Sequence, residues 1–139
     1  YTLSSPDHGL GRMLKISRED IAGMVSALEY YVSMDHQQRL DWCEQQVQII
    51  LNALCAYREV KASRSFPNEA GQPIPRVIVE IPGYTGADLV QALYRQSPSI
   101  LTAPAADGIF INPMTMEPGD TGAVIQGLEK LLAEGKPQK

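Results

Sequence analysis

The chain has 139 residues, of which 44% are hydrophobic and 20% are charged. This length and apolar content suffice for one domain with its own hydrophobic core, and two domains would be cramped. The formal net charge of -4 and the lack of a basic block make nucleic acid and anionic membranes poor partners. No apolar run approaches the roughly 20 residues of a membrane-spanning helix, so no membrane span is predicted.

Two helices are predicted in the first part of the chain. Residues 1–16 contain several helix-breaking residues and are expected to be irregular. Ser17 is the predicted N-cap of a helix that ends near Ser33, because two acidic residues and an apolar stripe of helical spacing follow it. Asp35 is predicted to cap a second, longer helix over about 36–57.

Four strands are predicted in the rest of the chain. Residues 59–66 alternate between polar and apolar, and a loop rich in Pro and Gly over 67–75 separates them from a clearer strand at 76–81. Shorter strands are predicted to start at residue 98 and over 108–112. In the strand at 76–81 Val77, Val79 and Ile81 share one face, and Arg76 and Glu80 share the other.

Two further helices are predicted between and after these strands. Thr85 with Asp88 is predicted to cap a short helix, and Asp120 is predicted to cap the last helix, which stops at Gly135. The predicted order is ααββαββα. Because the strands come in adjacent pairs, the order favours an α+β fold with a mostly antiparallel sheet of about four strands and helices on one face.

The two cysteines point to a reducing compartment. Cys43 and Cys55 fall in one predicted helix, about 18 Å apart at 1.5 Å per residue, which is beyond disulfide reach. Their spacing fits no zinc motif, and two histidines are too few for a histidine-based site, so no metal is predicted. Free thiols in a chain without a signal peptide lead us to expect a cytoplasmic protein.

Two cationic side chains near the start of the chain form a candidate anion site. Arg12 and Lys15 lie on a glycine-containing segment that leads into the first predicted helix. An arginine fork together with a lysine charge suits phosphate, sulfate or carboxylate. A solvated basic approach to a helix is the alternative interpretation of the same residues.

A second glycine turn is also open to two interpretations. Residues 83–86 precede a predicted helix N-terminus, which could hold an anion. The same residues fit an ordinary turn from strand to helix with Thr85 as the cap. Near the start of the chain, Gly9 and Gly11 do not form a dinucleotide fingerprint, because no strand precedes them and Leu14 stands where the third glycine belongs.

Residues 9–23, GLGRMLKISREDIAG, resemble a segment of pyridoxal-phosphate enzymes of the selenocysteine-synthase (L-seryl-tRNA selenium transferase) type, which include the D-glucosaminate-6-phosphate ammonia-lyase branch. The matching positions are Gly9, Gly11, Arg12, Lys15, Glu19, Ile21 and Gly23. Met13 replaces a proline of the family pattern, Ser17 a glycine and Arg18 a lysine. Residues 109–120 resemble the closing strand, turn and helix cap of that family.

The resemblance implies a domain organisation. Residues 1–16 would be the junction that follows a pyridoxal-phosphate-binding large domain. Residues 17–135 would be the small C-terminal domain of an aspartate-aminotransferase-type enzyme, and residues 136–139 would be its tail. The implied partners are the upstream large domain and further copies of the enzyme in a homo-oligomer.

The resemblance also implies roles for individual residues. Arg12 and Lys15 would hold an anionic group of a small substrate, and Arg18 and His8 are further candidates for this role. The family's Schiff-base lysine lies upstream of the glycine-arginine motif, and none of the five lysines of this chain matches it. The chain is therefore predicted to contain no catalytic or cofactor-binding residue and to be inactive alone.

The intact enzyme implied by the resemblance would be a lyase or transferase with pyridoxal 5'-phosphate as its cofactor. It would act on an amino acid or amino sugar acid by elimination or β-replacement, and glucosaminate phosphate, selenophosphate-linked and plain amino-acid chemistry all fit. The alternative is a stand-alone α+β binding or regulatory domain that uses its sheet or the Thr85 helix end for a small anion.

Overall fold

The computed structural model describes residues 15–68 and 71–135, and these residues form four α-helices and one four-stranded antiparallel sheet. The order of the elements is ααββαββα, so the predicted α+β fold and the predicted element order are confirmed. The chain divides into two compact units, Tyr1–His36 and Gln37–Lys139. The domain boundaries implied by the resemblance stay predictions.

Helix α1, Arg18–Ser33, begins at the predicted cap. The Ser17 hydroxyl accepts the Asp20 N–H at 3.0 Å, and the Asp20 carboxylate accepts the Ser17 N–H at 3.0 Å. This capping box satisfies two backbone donors at the helix start, and its hydrogen bonds lower the pKa of the Asp20 carboxyl. None of the residues of α1 is buried.

Helix α2, His36–Leu54, ends three residues before the predicted end at residue 57. The Tyr57 N–H donates to Leu54 O, three residues back, at 3.1 Å, which closes a tighter turn than an α-helix allows. The Tyr57 hydroxyl then donates to Glu129 at 3.3 Å. The buried stripe of α2, at helical spacing, consists of Cys43, Val47, Ile50 and Leu54.

The sheet consists of β1 Lys61–Ser65, β2 Arg76–Glu80, β3 Ala103–Pro104 and β4 Ile109–Ile111. Its strand order is β1-β2-β4-β3, and every neighbouring pair is antiparallel. The chain therefore leaves β2, forms helix α3, Gly86–Tyr94, and then β3, and returns through β4 to the free edge of β2. This topology confirms the antiparallel sheet of four strands.

The third strand starts later than predicted. The sequence suggested a strand from residue 98, whereas β3 begins at Ala103. Pro98 has no backbone N–H to donate, and the Ile100 N–H donates to Leu93 O of helix α3, Gly86–Tyr94, at 3.1 Å. The segment before β3 is thus fastened to a helix instead of to the sheet.

Helix α4, Asp120–Glu134, is capped differently from the prediction. Gly119 is its N-cap, with a φ of 103°, a left-handed conformation that glycine adopts without strain. Asp120 is the first helical residue, and its carboxylate accepts the Glu117 N–H at 2.8 Å, which stabilises the preceding turn. At the other end Gly135 is the C-cap, as predicted.

One hydrophobic core unites α2, α3 and α4 with one face of the sheet. Val77 pairs with Ile111 and Val79 pairs with Ile109, so these four side chains point to the same face. All four are at most 1% exposed. The helical members of the core are Val47, Ile50, Leu54, Leu89, Leu93, Val124, Leu128 and Leu131. Burial of each aliphatic side chain stabilises the folded state by about 1.5–3 kcal/mol. The apolar face of the sheet therefore holds the three helices against it.

The two cysteines have different surroundings. Cys43 is buried on α2, and this burial raises the pKa of its thiol. Cys55 lies just beyond the end of α2 and is exposed. Separately, none of the helices within the described residues is both long enough and apolar enough to cross a lipid bilayer.

An ion pair joins α2 to β1 and makes stability depend on pH. Arg64 Nε lies 2.9 Å from Glu44 Oε1 and Arg64 Nη2 lies 2.8 Å from Glu44 Oε2. The hydrogen bonds from Arg64 hold the pKa of the Glu44 carboxyl below its ordinary value. The stabilisation is therefore present above the unfolded-state pKa of about 4.3 and is lost as the pH falls through the lower folded-state pKa.

We expect Glu44→Gln to lower the free energy of unfolding by about 0.5 kcal/mol at neutral pH, because both partners are more than a third exposed to water. The difference from the wild type should shrink as the pH falls through the lowered folded-state pKa and Glu44 becomes protonated. Urea unfolding over a series of pH values from neutral into acid measures this effect. The control, Glu117→Gln, removes an exposed carboxylate that has no ion pair within the described residues. An equal loss in both variants would contradict the prediction.

Candidate functional site

A cavity of about 680 Å³ opens at one end of the sheet, within the Gln37–Lys139 unit. The segment before β3, the end of β4 and the first turn of α4 form its walls. Its wall includes six polar or charged side chains: Arg76, Ser99, Thr102, Asn112, Thr115 and Asp120. The rest of the lining is mainly apolar, which is typical of small-molecule sites.

The register of the sheet brings Arg76, Thr102 and Asn112 to the same end of β2, β3 and β4. Val77 is paired with Ile111, so Arg76 and Asn112 lie one position further along two neighbouring antiparallel strands. Ala103 pairs with Phe110, and therefore Thr102 enters the same end from the other side of β4. The site is built from residues far apart in sequence that only the pairing of strands brings together.

Arg76 is the buried cation of this cavity, with 6% of its surface exposed. Its guanidinium carbon lies 4.4 Å from the centre of the Phe110 ring, and its Nη2 donates to Ser65 Oγ at 3.4 Å. A cation over an aromatic face is attracted by the negative face of the ring, which offsets part of the cost of burial. The sequence pattern placed Arg76 opposite Val77 on its strand, and this is correct, but the pattern did not predict its burial.

Thr102 and Asn112 differ in their hydrogen bonding. Thr102 Oγ1 is buried and has no hydrogen-bond partner within the described residues. Asn112 Oδ1 accepts the Met114 N–H at 3.0 Å, which leaves the amide NH2 of Asn112 as a donor. A buried hydroxyl without a partner is rare in native structures.

The residues that the sequence analysis proposed as an anion site lie elsewhere in the chain. Arg12 and His8 are outside the described residues. Lys15 is exposed just before the N-cap of α1, and Arg18 is exposed as the first residue of α1. Whether these four side chains converge stays a prediction.

The turn at Thr85 is a packing feature of the fold. The Thr85 hydroxyl accepts the Asp88 N–H at 3.1 Å, and the Asp88 carboxylate accepts the Thr85 N–H at 3.0 Å. A carboxylate of the protein thus occupies the helix start where an anion would bind. The geometry supports the ordinary-turn interpretation, and the described residues contain no group of three metal-ligating side chains that would suggest another use.

The position of Arg76 at the start of an apolar strand is a sequence signal for the cavity that the sequence analysis missed. Arg76 directly follows Pro75 and opens a strand whose neighbouring positions are apolar. Charged residues are almost never fully buried without a partner, so an arginine in such a strand is a candidate for a polar site. Neither Thr102 nor Asn112 carries a comparable signal. Thr102 directly precedes β3 and Asn112 directly follows β4, and both strands are too short to show a clear pattern in the sequence.

The fold has a known counterpart. The sequence matches no family model and no curated protein. The structure is similar to a solved structure of D-glucosaminate-6-phosphate ammonia-lyase, with a TM-score of 0.70 and 23% sequence identity over 92% of this chain. The matched region spans 35% of that protein's chain. At this identity the likeness establishes a shared fold.

Proposed function

We propose that this chain is the C-terminal part of a pyridoxal-phosphate-dependent lyase or transferase of the selenocysteine-synthase-like family. The intact enzyme would act on an amino acid or amino sugar acid by elimination or β-replacement. One agreement carries the proposal: residues 9–23 resemble a motif of the family that includes D-glucosaminate-6-phosphate ammonia-lyase, and the fold is similar to a structure of that name. The match to 35% of that chain supports a role as one part of a larger enzyme.

The described residues do not by themselves fit the cofactor. Lys61 is 85% exposed and lies 3.7 Å from Glu80, and Lys130 lies 4.0 Å from Glu134 on the surface of α4. Lys15 is exposed as well, and none of the three lines the cavity. In this proposal the large domain upstream therefore holds the cofactor, which supplies stabilisation of a carbanion when bound.

The part that this chain contributes is recognition of the substrate. Arg12 and Lys15 would hold a phosphate or carboxylate group, because a planar fork and a point charge together neutralise such an anion. Arg18 and His8 would lie close to the same group. The partners of this chain would be the upstream large domain and further copies of the enzyme in a homo-oligomer.

The first experiment separates the large domain from this chain. The protein encoded by the whole reading frame should show visible absorbance from bound pyridoxal phosphate that disappears on borohydride reduction. The 139-residue chain mixed with pyridoxal phosphate should show no saturable, site-specific absorbance of this kind. Stoichiometric cofactor on one lysine of the 139-residue chain would sink the proposal, and so would a reading frame that encodes no large domain.

The second experiment tests the anion clamp in the whole enzyme. We expect Arg12→Gln and Lys15→Gln each to lower kcat/KM by about tenfold or more, because each removes a charge-assisted hydrogen bond to the substrate. Ammonia release from D-glucosaminate 6-phosphate is the assay. Arg58→Gln is the control, since it removes an exposed cation beyond the end of α2. Unchanged kcat/KM in both motif variants would remove Arg12 and Lys15 from the site.

A further inference from the structure

We propose that the apolar face of helix α1 is the surface on which the upstream large domain of the intact enzyme docks. The inference rests on the proposed function for the existence of that domain, and it adds where this chain contacts it. Five aliphatic side chains at helical spacing form the apolar face of α1: Ile21, Met24, Val25, Leu28 and Val32.

The apolar face of α1 is uncovered within the described part of the chain. Its five side chains are between 48% and 79% exposed, and no described residue of α1 is buried. The hydrophobic core shared by α2, α3, α4 and the sheet contains no residue of α1. A contiguous apolar patch on a protein surface marks a contact with another protein or domain.

A helix as short as α1 needs a packing partner. It has 16 residues, and isolated helices of about 12–15 residues are marginal in water even when they are rich in alanine. Gly23 and the β-branched Ile21, Val25 and Val32 are weaker helix formers than alanine, and the capping box at Ser17 supports only the first turn. The packing that holds the rest of α1 therefore comes from outside the described residues.

The length of α1 favours a folded domain over a second copy of the helix. Sixteen residues are little more than two heptads, whereas helices that associate by themselves repeat their apolar seam over about three to four heptads. A domain surface can cover the whole face at once. The solved structure with the same fold has room for such a domain, because the match spans only 35% of its chain.

Docking through α1 positions the proposed anion clamp. Lys15 lies two residues before the N-cap Ser17, and Arg12 lies three residues before Lys15. When α1 is fixed on the large domain, the segment that leads into it is held beside the domain that contains the cofactor. The apolar residues of α1 thus act through Arg12 and Lys15 and do not touch the substrate.

The first test introduces a photo-reactive benzophenone side chain at Leu28 or at Tyr30 in the protein encoded by the whole reading frame. The two residues are 54% and 68% exposed in this chain, and they point about 160° apart on the helix. The probe at Leu28 should cross-link to residues upstream of Tyr1 in the same chain, at least about tenfold more than the probe at Tyr30. Equal yields, or main products with a second copy, residues 1–14 or the Gln37–Lys139 unit, would overturn the docking surface.

The second test compares Leu28→Glu in the whole protein and in the 139-residue chain. Its Tm should fall by about 5 °C or more in the whole protein, because docking would bury an unpaired charge. In the 139-residue chain Tm should change by less than about 1 °C, since α1 buries no described residue there. Tyr30→Glu is the matched control and should change neither protein. An equal loss of Tm from Leu28→Glu in both proteins would refute docking.

Bound cofactor separates this inference from the proposed function. Cross-links from Leu28 to an upstream domain that holds no pyridoxal phosphate would keep the docking surface and end the proposed function. Bound pyridoxal phosphate without such cross-links would do the reverse. A reading frame that encodes no upstream domain would end both.

Discussion

Gly86→Ala is expected to destabilise the chain by about 3 kcal/mol, although alanine is the better helix former. Gly86 is the first residue of α3 and is buried. A Cβ atom at this position would overlap the carbonyl oxygen of Gly108 and lie 2.8 Å from that of Ala105. Both oxygens are backbone atoms of one turn, which is closed by a hydrogen bond from the Ala105 N–H to Gly108 O at 2.7 Å. The turn can make room for the Cβ atom only if this hydrogen bond breaks.

Thermal unfolding measures this effect, and a loss of 3 kcal/mol corresponds to about 10 °C in Tm for a chain of this size. The matched control is Gly122→Ala on α4, where a Cβ atom meets nothing within 4 Å. This variant should gain about 0.5–1 kcal/mol, because alanine loses less backbone entropy in a helix. The explanation fails if both variants change Tm in the same direction.

Leu128→Ala is expected to lower the free energy of unfolding by about 3–5 kcal/mol. Leu128 is 0% exposed on α4 and belongs to the core shared by α2, α3 and the sheet. The substitution removes buried apolar surface and leaves a cavity that rigid strands and helices on all sides fill only partly. Urea unfolding with a constant slope in denaturant gives the difference in free energy.

The control for this prediction is the same substitution at an exposed leucine. Leu101 is 81% exposed, and Leu101→Ala should change the free energy of unfolding by no more than about 0.5 kcal/mol. A loss of less than about 1 kcal/mol in Leu128→Ala would mean that α4 does not pack against the sheet as described. In that case the wall of the cavity that α4 supplies would need to be reconsidered.

Local patterns predicted the elements because their causes are local. Ser17 with Asp20 and Thr85 with Asp88 form capping boxes in which the paired groups are three residues apart. The alternation of residues 76–81 predicted β2 because side chains of a strand point to opposite faces in turn. Gly135 marked the end of α4, since its φ of 67° suits glycine.

Errors in the prediction occurred where distant contacts compete with local ones. The segment from residue 98 looked like a strand, but the Ile100 N–H bonds to Leu93 O, and β3 begins only at Ala103. Helix α2 ends at Leu54, and Tyr57 just beyond it donates a hydrogen bond to Glu129, which is 72 residues away. Neither partner is visible in a window of neighbouring residues.

The two candidate sites show the same division between local and distant information. Arg12 and Lys15 were selected because they share one short motif, and their role depends on residues outside the described part of the chain. The cavity was not predicted, because Arg76 and Thr102 come to the same end of the sheet only through the register of β2, β4 and β3. Sequence by itself determined the helices, the strands and their order, through caps and periodicity. Tertiary structure alone decided which polar side chains are buried together, because burial depends on neighbours that strand pairing brings from distant parts of the chain.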